Sequence, residues 1–382
     1  RCSTHSDCSP VLILYQRRIV MEVAGNAAGL DLGKKTYEMC LIGPNGKVTR
    51  TGGKTDFEGL DNLCKKLNKD DVVAIEACNL AFRIERIIRD KVGCRVIILN
   101  PGRLAIIFMS TRKTDKEDSM KLAKYLRSHD ENEMPIVTPP SDEEWARRKL
   151  LSEYRSLKSL RTKEINRLHA IFEHNGYTQF KRKDMCVPKN RDNILPLLKG
   201  YEKEEAERLV ERLILIEKQL ELLNQKINEE TKSDEKVQRL MTVPGVGPIT
   251  ALSYVAYIGD VNRFENAHQV SNFIGFVPKV DWSCTINRLG HITKQGNPIL
   301  RSLLVQAAWS ATRSKSGGAL KDKYNYMAVT RGIGKGKSIV TVARKMGELL
   351  YTLLKNNQVY EPRISITPDA YISKLAEEAL IS

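Results

Sequence analysis

The stretch Gly29-Leu30-Asp31-Leu32-Gly33-Lys34-Lys35, "GLDLGKK", places one acid inside an apolar run. A carboxylate between two leucines is costly to bury unless it is paired or holds a cation. The surrounding pattern is strand-like from Ala27. "AGLDLG" is followed by "TYEMCLI", the turn Pro44-Asn45-Gly46 and "KVTRT", which predicts a β-hairpin. A helix follows, with Phe57, Leu60, Leu63, Cys64 and Leu67 on one face. "DVVAIEA" reads as a buried strand ending in Glu76, "LAFRIERIIRD" as a helix, and "CRVIIL" as a further strand closed by Asn100-Pro101-Gly102. Hairpin strands followed by alternating helices and strands predict a mixed α/β domain over residues 25–142.

The chain has 382 residues, enough for two or three domains with cores of their own. Lys and Arg number 62 against 46 Asp and Glu, a net charge of +16. Such an excess makes a polyanion the expected partner. Nucleic acid is favoured over a membrane, because no segment could span a bilayer. The eight cysteines are scattered and form no CxxC pair. That implies neither a zinc site nor a disulfide framework, and fits reduced thiols in a cytoplasm. The apolar run at 11–15 is too short for a signal-peptide core, and residues 1–24 are set aside as an N-terminal extension.

Pro135, Pro139 and Pro140 mark a border. Ser141 followed by Glu144 is a capping box that opens a long helix, with Leu150, Tyr154, Leu157, Ile165, Leu168 and Phe172 recurring along it. The basic stretch "FKRKDMCVPKNR" interrupts the pattern. A second helix carries Leu209, Leu213, Ile216, Leu220, Leu223 and Ile227, whose spacing alternates four and three as in a coiled-coil seam. Residues 143–235 are therefore expected to form a helical arm, either an antiparallel hairpin or an oligomerisation device.

A third region, 236–355, precedes a tail at 356–382. It opens at "LMTVPGVGPITAL", which resembles a helix-hairpin-helix turn. There Gly245 and Gly247 would let backbone amides approach a phosphate. Within residues 279–350, thirteen Lys or Arg stand against Asp281, Asp322 and Glu348, which marks a nucleic-acid surface. Lys294, Asn297 and Arg301 lie in a Gly-containing turn into a helix, where their donors would hold phosphates. "RGIGKGKS" imitates a phosphate loop, but Arg331 stands where that loop requires glycine. ATP hydrolysis is not expected.

Asp115 and Asp118, in "KTDKEDSM", are three residues apart and project from one helix face. Each acid alone has an ordinary reading. Asp115 and Asp118 suit a helix N-terminus, Asp31 a strand end, and Glu76 a salt bridge. Together, four carboxylates on three elements can hold two divalent cations about 4 Å apart, which activate an attacking oxygen and stabilise a leaving one. Oxygen donors and phosphate chemistry point to Mg2+. Lys113 and its neighbours would then bring phosphate close to the acids.

"GLDLGKK", "IEAC" and "KTDKED" resemble the four-acid (DEDD) motif of insertion-sequence transposases with a RuvC-like, RNase H-like catalytic domain. The resemblance continues through "VPGVGPITA", "IGDVNRF", "FIGFVP", "GHITKQGNPILR" and "VARKMGELLY", from about residue 27 to 362. It identifies the "one-ten" family of insertion sequences. The resemblance implies a transposase that excises and inserts its own element by DNA strand exchange, guided by a bridge RNA. It implies catalytic Asp31, Glu76, Asp115 and Asp118, all four also metal ligands. It further implies a serine nucleophile at Ser283, in "PKVDWSCTINRLGHITK", five residues after Pro278 and seven before Gly290. Cys284 stands where the family usually has glycine, and Thr285 is a lesser candidate hydroxyl. Arg288 belongs to the same basic segment. In the family, serine and acids meet between protomers, which makes the arm a plausible assembly device for a homo-oligomer.

The expected architecture is an RNase H-like domain, a helical coiled-coil arm and a basic, mostly α-helical transposase domain. The expected partners are double-stranded DNA, a guide RNA and further copies of the chain. Two rivals are a junction-resolving nuclease that uses the acids and water alone, and a non-catalytic nucleic-acid-binding protein.

Overall fold

The computed structural model describes residues 24–107, 114–283 and 286–362, with the side chains of 105–107 and 280–289 outside that description. The chain divides between Pro139 and Pro140 into two compact units.

The first unit contains β1 (Ala27–Leu32), β2 (Thr36–Ile42), β3 (Val48–Lys54), α1 (Phe57–Cys64), β4 (Val72–Glu76), α2 (Ala81–Val92), β5 (Arg95–Leu99), α3 (Pro101–Ile107) and α4 (Asp115–Ser128). Its sheet has the order β3-β2-β1-β4-β5. The turn at Gly46 sets the antiparallel β2–β3 hairpin, with φ of +78° at that glycine. β4 runs parallel to β1, and β5 parallel to β4. Such pairings need a crossover, and α1 and α2 supply the connecting helices. Alternation along the strands builds two apolar layers. Ala28, Leu30, Val73 and Ile75 pack with Leu60, Leu63, Ile84 and Ile88 of α1 and α2. Ala27, Val72 and Ala74 face the other way and pack with Leu122, Tyr125 and Leu126 of α4.

In the second unit, α5 (Asp142–His174) starts at the capping box, with both reciprocal bonds between Ser141 and Glu144 formed. α6 (Pro188–Ile194) follows, and then α7 (Gly200–Ser233) returns along α5. The ion pairs Arg147–Asp234 (2.6 Å), Arg161–Glu217 (2.7 Å) and Arg212–Glu164 (3.2 Å) pair early α5 with late α7, so the two helices are antiparallel. Leu209, Leu213, Ile216, Leu220, Leu223 and Ile227 are all buried within the chain, the first two against Ile165, Leu168 and Phe172, the others against Leu151 and Tyr154. Burying each such side chain contributes roughly 1.5–3 kcal/mol. The seam expected as an assembly device is therefore consumed by the hairpin itself. Leu160 of α5 and Ile214, Leu215 and Leu222 of α7 stay exposed.

The remaining elements are α8 (Glu235–Met241), α9 (Pro248–Ile258), α10 (Ala267–Ile274), the hairpin of β6 (Pro278–Ser283) and β7 (Ile286–Ile292), α11 (Pro298–Arg313), α12 (Gly318–Asn325) and α13 (Lys335–Lys355). The base of the arm shares their core. Leu151, Ile216 and Ile227 cluster with Leu252, Leu304 and Met346. The division expected at residues 235/236 thus falls inside one packed unit, because the arm's lower half has no other surface on which to bury its apolar face.

Candidate active site

Asp31 is next to last in β1, and Glu76 is the last residue of β4. The parallel register pairs Leu30 with Ile75, so Asp31 and Glu76 follow side by side at the carboxyl ends of adjacent strands. Alternation puts both on the α4 face of the sheet, with Ala27 and Ala74. Carboxyl ends of parallel strands are where open α/β sheets place their sites. α4 arrives there N-terminus first. Thr114 caps it, its hydroxyl accepting from the Glu117 amide at 3.3 Å, and the helix begins at Asp115. Asp115 and Asp118 occupy its first turn, where the helix dipole favours acids.

The electrostatics tie the four together. Burial is the largest cause that raises the Asp31 carboxyl, from 3.8 to about 6, and the negative charges of Asp115, Asp118 and Glu76 add to it. β1, β4 and α4 thus bring Glu76, Asp115 and Asp118 within electrostatic reach of Asp31. Among the described residues, no three His, Cys, Asp or Glu side chains converge closely enough to hold a metal ion as they stand. Like charges spread apart, and a lysine already sits in the cluster. Lys121 Nζ lies 2.8 Å from Asp118 Oδ1. The donor set still fits a hard divalent cation: oxygen only, four carboxylates, on elements fixed by the core.

No sequence pattern marks Lys121 as part of this cluster; only the helix spacing from Asp118 points to it. Glu38 is a further acid of the same face, opposite Asp31 on β2, and its carboxylate leans over Gly52 toward β3. Lys113 lies outside the described residues.

In the second unit, Ser283 ends β6 and pairs with Ile286 across the hairpin; Arg288 pairs with Asp281. The side chains of Ser283 and Arg288, and Cys284 and Thr285 altogether, lie outside the described residues. The glycine-containing turn before α11 is held by the fold. Asn297 caps α11, its Oδ1 accepting from the amides of Ile299 (2.8 Å) and Leu300 (3.2 Å). Arg301 donates to the Ile274 carbonyl at 2.8 Å, closing the end of α10. Both residues named as phosphate donors also serve the fold here, Asn297 through its acceptor oxygen and Arg301 through one of its N–H groups, since orphan groups at two helix ends meet in this turn. Lys294 is exposed and keeps a left-handed backbone, φ +55°.

The two glycines of "PGVGP" differ. A Cβ on Gly245 would collide with the Ala307 carbonyl and lie 2.6 Å from the Ala311 nitrogen, so close packing against α11 accounts for this glycine. Gly247 has open space around it and caps α9. "RGIGKGKS" leads into the first turn of α13, with no strand before it, as its failed loop spacing predicts.

No helix among the described residues is long and apolar enough to cross a membrane. Residues 28–174 match a family model described as "Transposase", that of the DEDD domain of IS110 elements. Residues 237–325 match the "Transposase IS116/IS110/IS902 family". The chain is similar to the transposase of insertion element IS1111A from Coxiella burnetii, 26% identical over 87% of this chain and 90% of the relative. It is also similar to the transposase of IS1328 from Yersinia enterocolitica, 26% identical over 73% and 82%. A third relative is the pilin gene-inverting protein of Moraxella bovis, 23% identical over 88% and 98%. A DEDD domain implies the RNase H-like fold and dependence on a divalent metal ion. The acids brought together in the first unit lie inside one matched segment and Ser283 inside the other, and the chain belongs to the IS110 family of insertion-sequence transposases, enzymes that cleave DNA and transfer its strands.

Proposed function

We propose that this transposase works through a composite chemistry, with Asp31, Glu76, Asp115 and Asp118 as the acidic centre and Ser283 as the nucleophile. The coupling of Asp31 to three acids from two other elements carries the first half of this reading. Mg2+ is the ion the oxygen donors suit, and when bound it would supply charge stabilisation for the reacting phosphate. Asp31 and Glu76 would hold it from the sheet, and Asp115 and Asp118 from the helix.

The Ser283 hydroxyl oxygen forms an ester bond to a DNA phosphorus. The bond from that phosphorus to the departing deoxyribose oxygen breaks, and the serine proton ends on that oxygen. Attack of a second strand's hydroxyl on the phosphoserine reverses the step and joins new partners. No water is consumed, so bond energy is retained for rejoining. Sequence resemblance supports Ser283; its position at the closing pair of the β6–β7 hairpin sets it at a tip.

The partners proposed are double-stranded DNA, a guide RNA encoded with the element, and further copies of the chain. The net charge of +16 supports the polyanions. The exposed apolar side chains Leu160 of α5 and Ile214, Leu215 and Leu222 of α7 support assembly through the arm.

A suicide substrate that releases its leaving strand tests the reading. The intact chain should yield a covalent adduct on a peptide spanning Trp282 to Arg288. Asp115→Asn should bind DNA and leave it uncut. Cleavage without an adduct, by a chain whose Ser283→Ala variant still cuts, would instead identify a nuclease that uses the acids and water.

A further inference from the structure

A cleft of about 460 Å3 opens in the second unit where α5 and α7 meet α9 and α11. Its size lies in the range of sites for small molecules, about 300–1,000 Å3. The first turn of α9 lines it. Gly247 caps that helix without a side chain and Pro248 has no N–H, so the amides of Ile249 and Thr250, which line the cleft, keep their donor capacity. A second observation is independent of the helix end. Ser253, 1% exposed, lines the same cleft, and its Oγ has no hydrogen-bond partner. A buried hydroxyl without a partner costs free energy that a ligand would recover.

The rest of the lining limits the ligand's chemistry. Arg155 and Lys158 of α5 supply two cations, and no acid lines the cleft, although acids are frequent on both arm helices. Asn224 and Asn228 of α7 present two amides one turn apart, each able to donate and accept. Tyr154 adds an aromatic ring to an apolar wall. A free phosphate would leave most of this volume and the apolar wall unused. A duplex would not enter. Anion donors, paired amides and an aromatic wall together suit a base with its phosphate.

We infer that the cleft takes one unstacked nucleotide from a bound single strand. The phosphate lies toward the first turn of α9 with Arg155 and Lys158, and the base edge toward Ser253 and the two asparagines. This rests on the nucleic-acid reading above, but involves neither the acids nor Ser283. The nucleotide can come from RNA or from a displaced DNA strand, and the chemistry is shared.

Single strands of RNA and of DNA, each carrying one photoreactive thio-substituted pyrimidine, test the inference with the full-length chain. Irradiation should attach the base to Tyr154 or within residues 224–228, and the stronger arm names the source. Gln306→Trp, at an exposed position on the rim, should abolish that cross-link and weaken binding roughly tenfold, within what one stacked base contributes. Arg155→Ala with Lys158→Ala, both exposed, should lower the salt dependence of binding by about two counterions. Cross-links that map elsewhere, or a folded Gln306→Trp variant with unchanged yield and affinity, would overturn the inference while leaving the nucleic-acid reading intact. A chain that binds neither strand would overturn both.

Discussion

Lys121 Nζ stands 2.8 Å from Asp118 Oδ1, one turn into α4, so a cation is already built into the acidic cluster. Half-exposed pairs of this kind contribute little to stability, about 0–1 kcal/mol. Their effect on ligand binding is larger, because a divalent ion at Asp118 must compete with the ammonium. Lys121→Met should tighten Mg2+ binding, read as a larger rise in Tm per increment of MgCl2. Asp31→Asn should reduce that rise. Equal responses in all three proteins would place the divalent ion away from these acids.

The raised Asp31 carboxyl makes a pH prediction without metal. Between the ordinary 3.8 and the folded value of about 6, the folded chain holds a proton that the unfolded chain has released. This group's contribution to stability is therefore full below 3.8 and lost as pH rises through about 6. In EDTA, Asp31→Asn should remove that slope. Above pH 6.5 it should stabilise the chain by on the order of 1 kcal/mol, an amount reduced because Asp31 is only half-buried. Denaturant melts from pH 4 to 7 measure it; parallel curves for both proteins would refute the coupling.

Much of this site is legible in the residues alone. "GLDLG" and "VVAIEA" announce strands through β-branched and apolar runs, and each acid breaks such a run at its end. Thr114 before Asp115 announces a helix start. What the sequence leaves open is which polar groups the fold also engages. Asn297 and Arg301 read as phosphate ligands because they are polar, basic and near glycines. The fold uses them to close α11 and α10: Asn297 through amides two and three residues on, a local signal, and Arg301 through a carbonyl 27 positions away. The seam at 209–227 has a similar ambiguity. Its period fixes that a helix must cover it, and only the returning ion pairs reveal that the partner is α5 of the same chain.

That distinction separates two basic residues in solution. Arg301→Ala should destabilise the chain by about 1–3 kcal/mol, leaving the Ile274 carbonyl unpaired. Lys294→Ala should leave stability within about 0.5 kcal/mol, as surface substitutions do, and reduce the salt slope of DNA binding by about one. Denaturant midpoints and binding titrations at several salt concentrations test both. A stable Arg301→Ala variant with a flattened slope would return that residue to the nucleic-acid surface.

The exposed leucines of α7 give a separable test. Leu215→Glu with Leu222→Glu changes only exposed positions, so the fold should be kept while self-association is lost. Leu213→Ala, in the buried seam, should instead cost about 2–5 kcal/mol of stability. Light scattering and melting curves distinguish them. A double variant of unchanged mass would remove these two leucines as an assembly surface.

Gly29 tests the geometry of the acids without changing an acid. It lies two residues before Asp31 on the same face of β1, directly beneath α4. A Cβ there would collide with the Ser119 carbonyl and sit 2.5 Å from the Ala123 nitrogen. Both are helix backbone, so no side chain can turn away to admit it. α4 must lift or slide, and Asp115 and Asp118 move with it. Gly29→Ala should therefore cost about 1–3 kcal/mol through overpacking. It should also weaken the repulsion felt at Asp31, so that its carboxyl titrates closer to the ordinary 3.8. DNA cleavage should fall sharply with all four carboxylates present. Gly46→Ala is the control: its Cβ meets nothing within 4 Å, and its positive φ strains only the β2–β3 turn. That variant should lose stability and keep cleaving. A folded Gly29→Ala chain that cuts at the parental rate would mean that the spacing between β1 and α4 does not govern the chemistry.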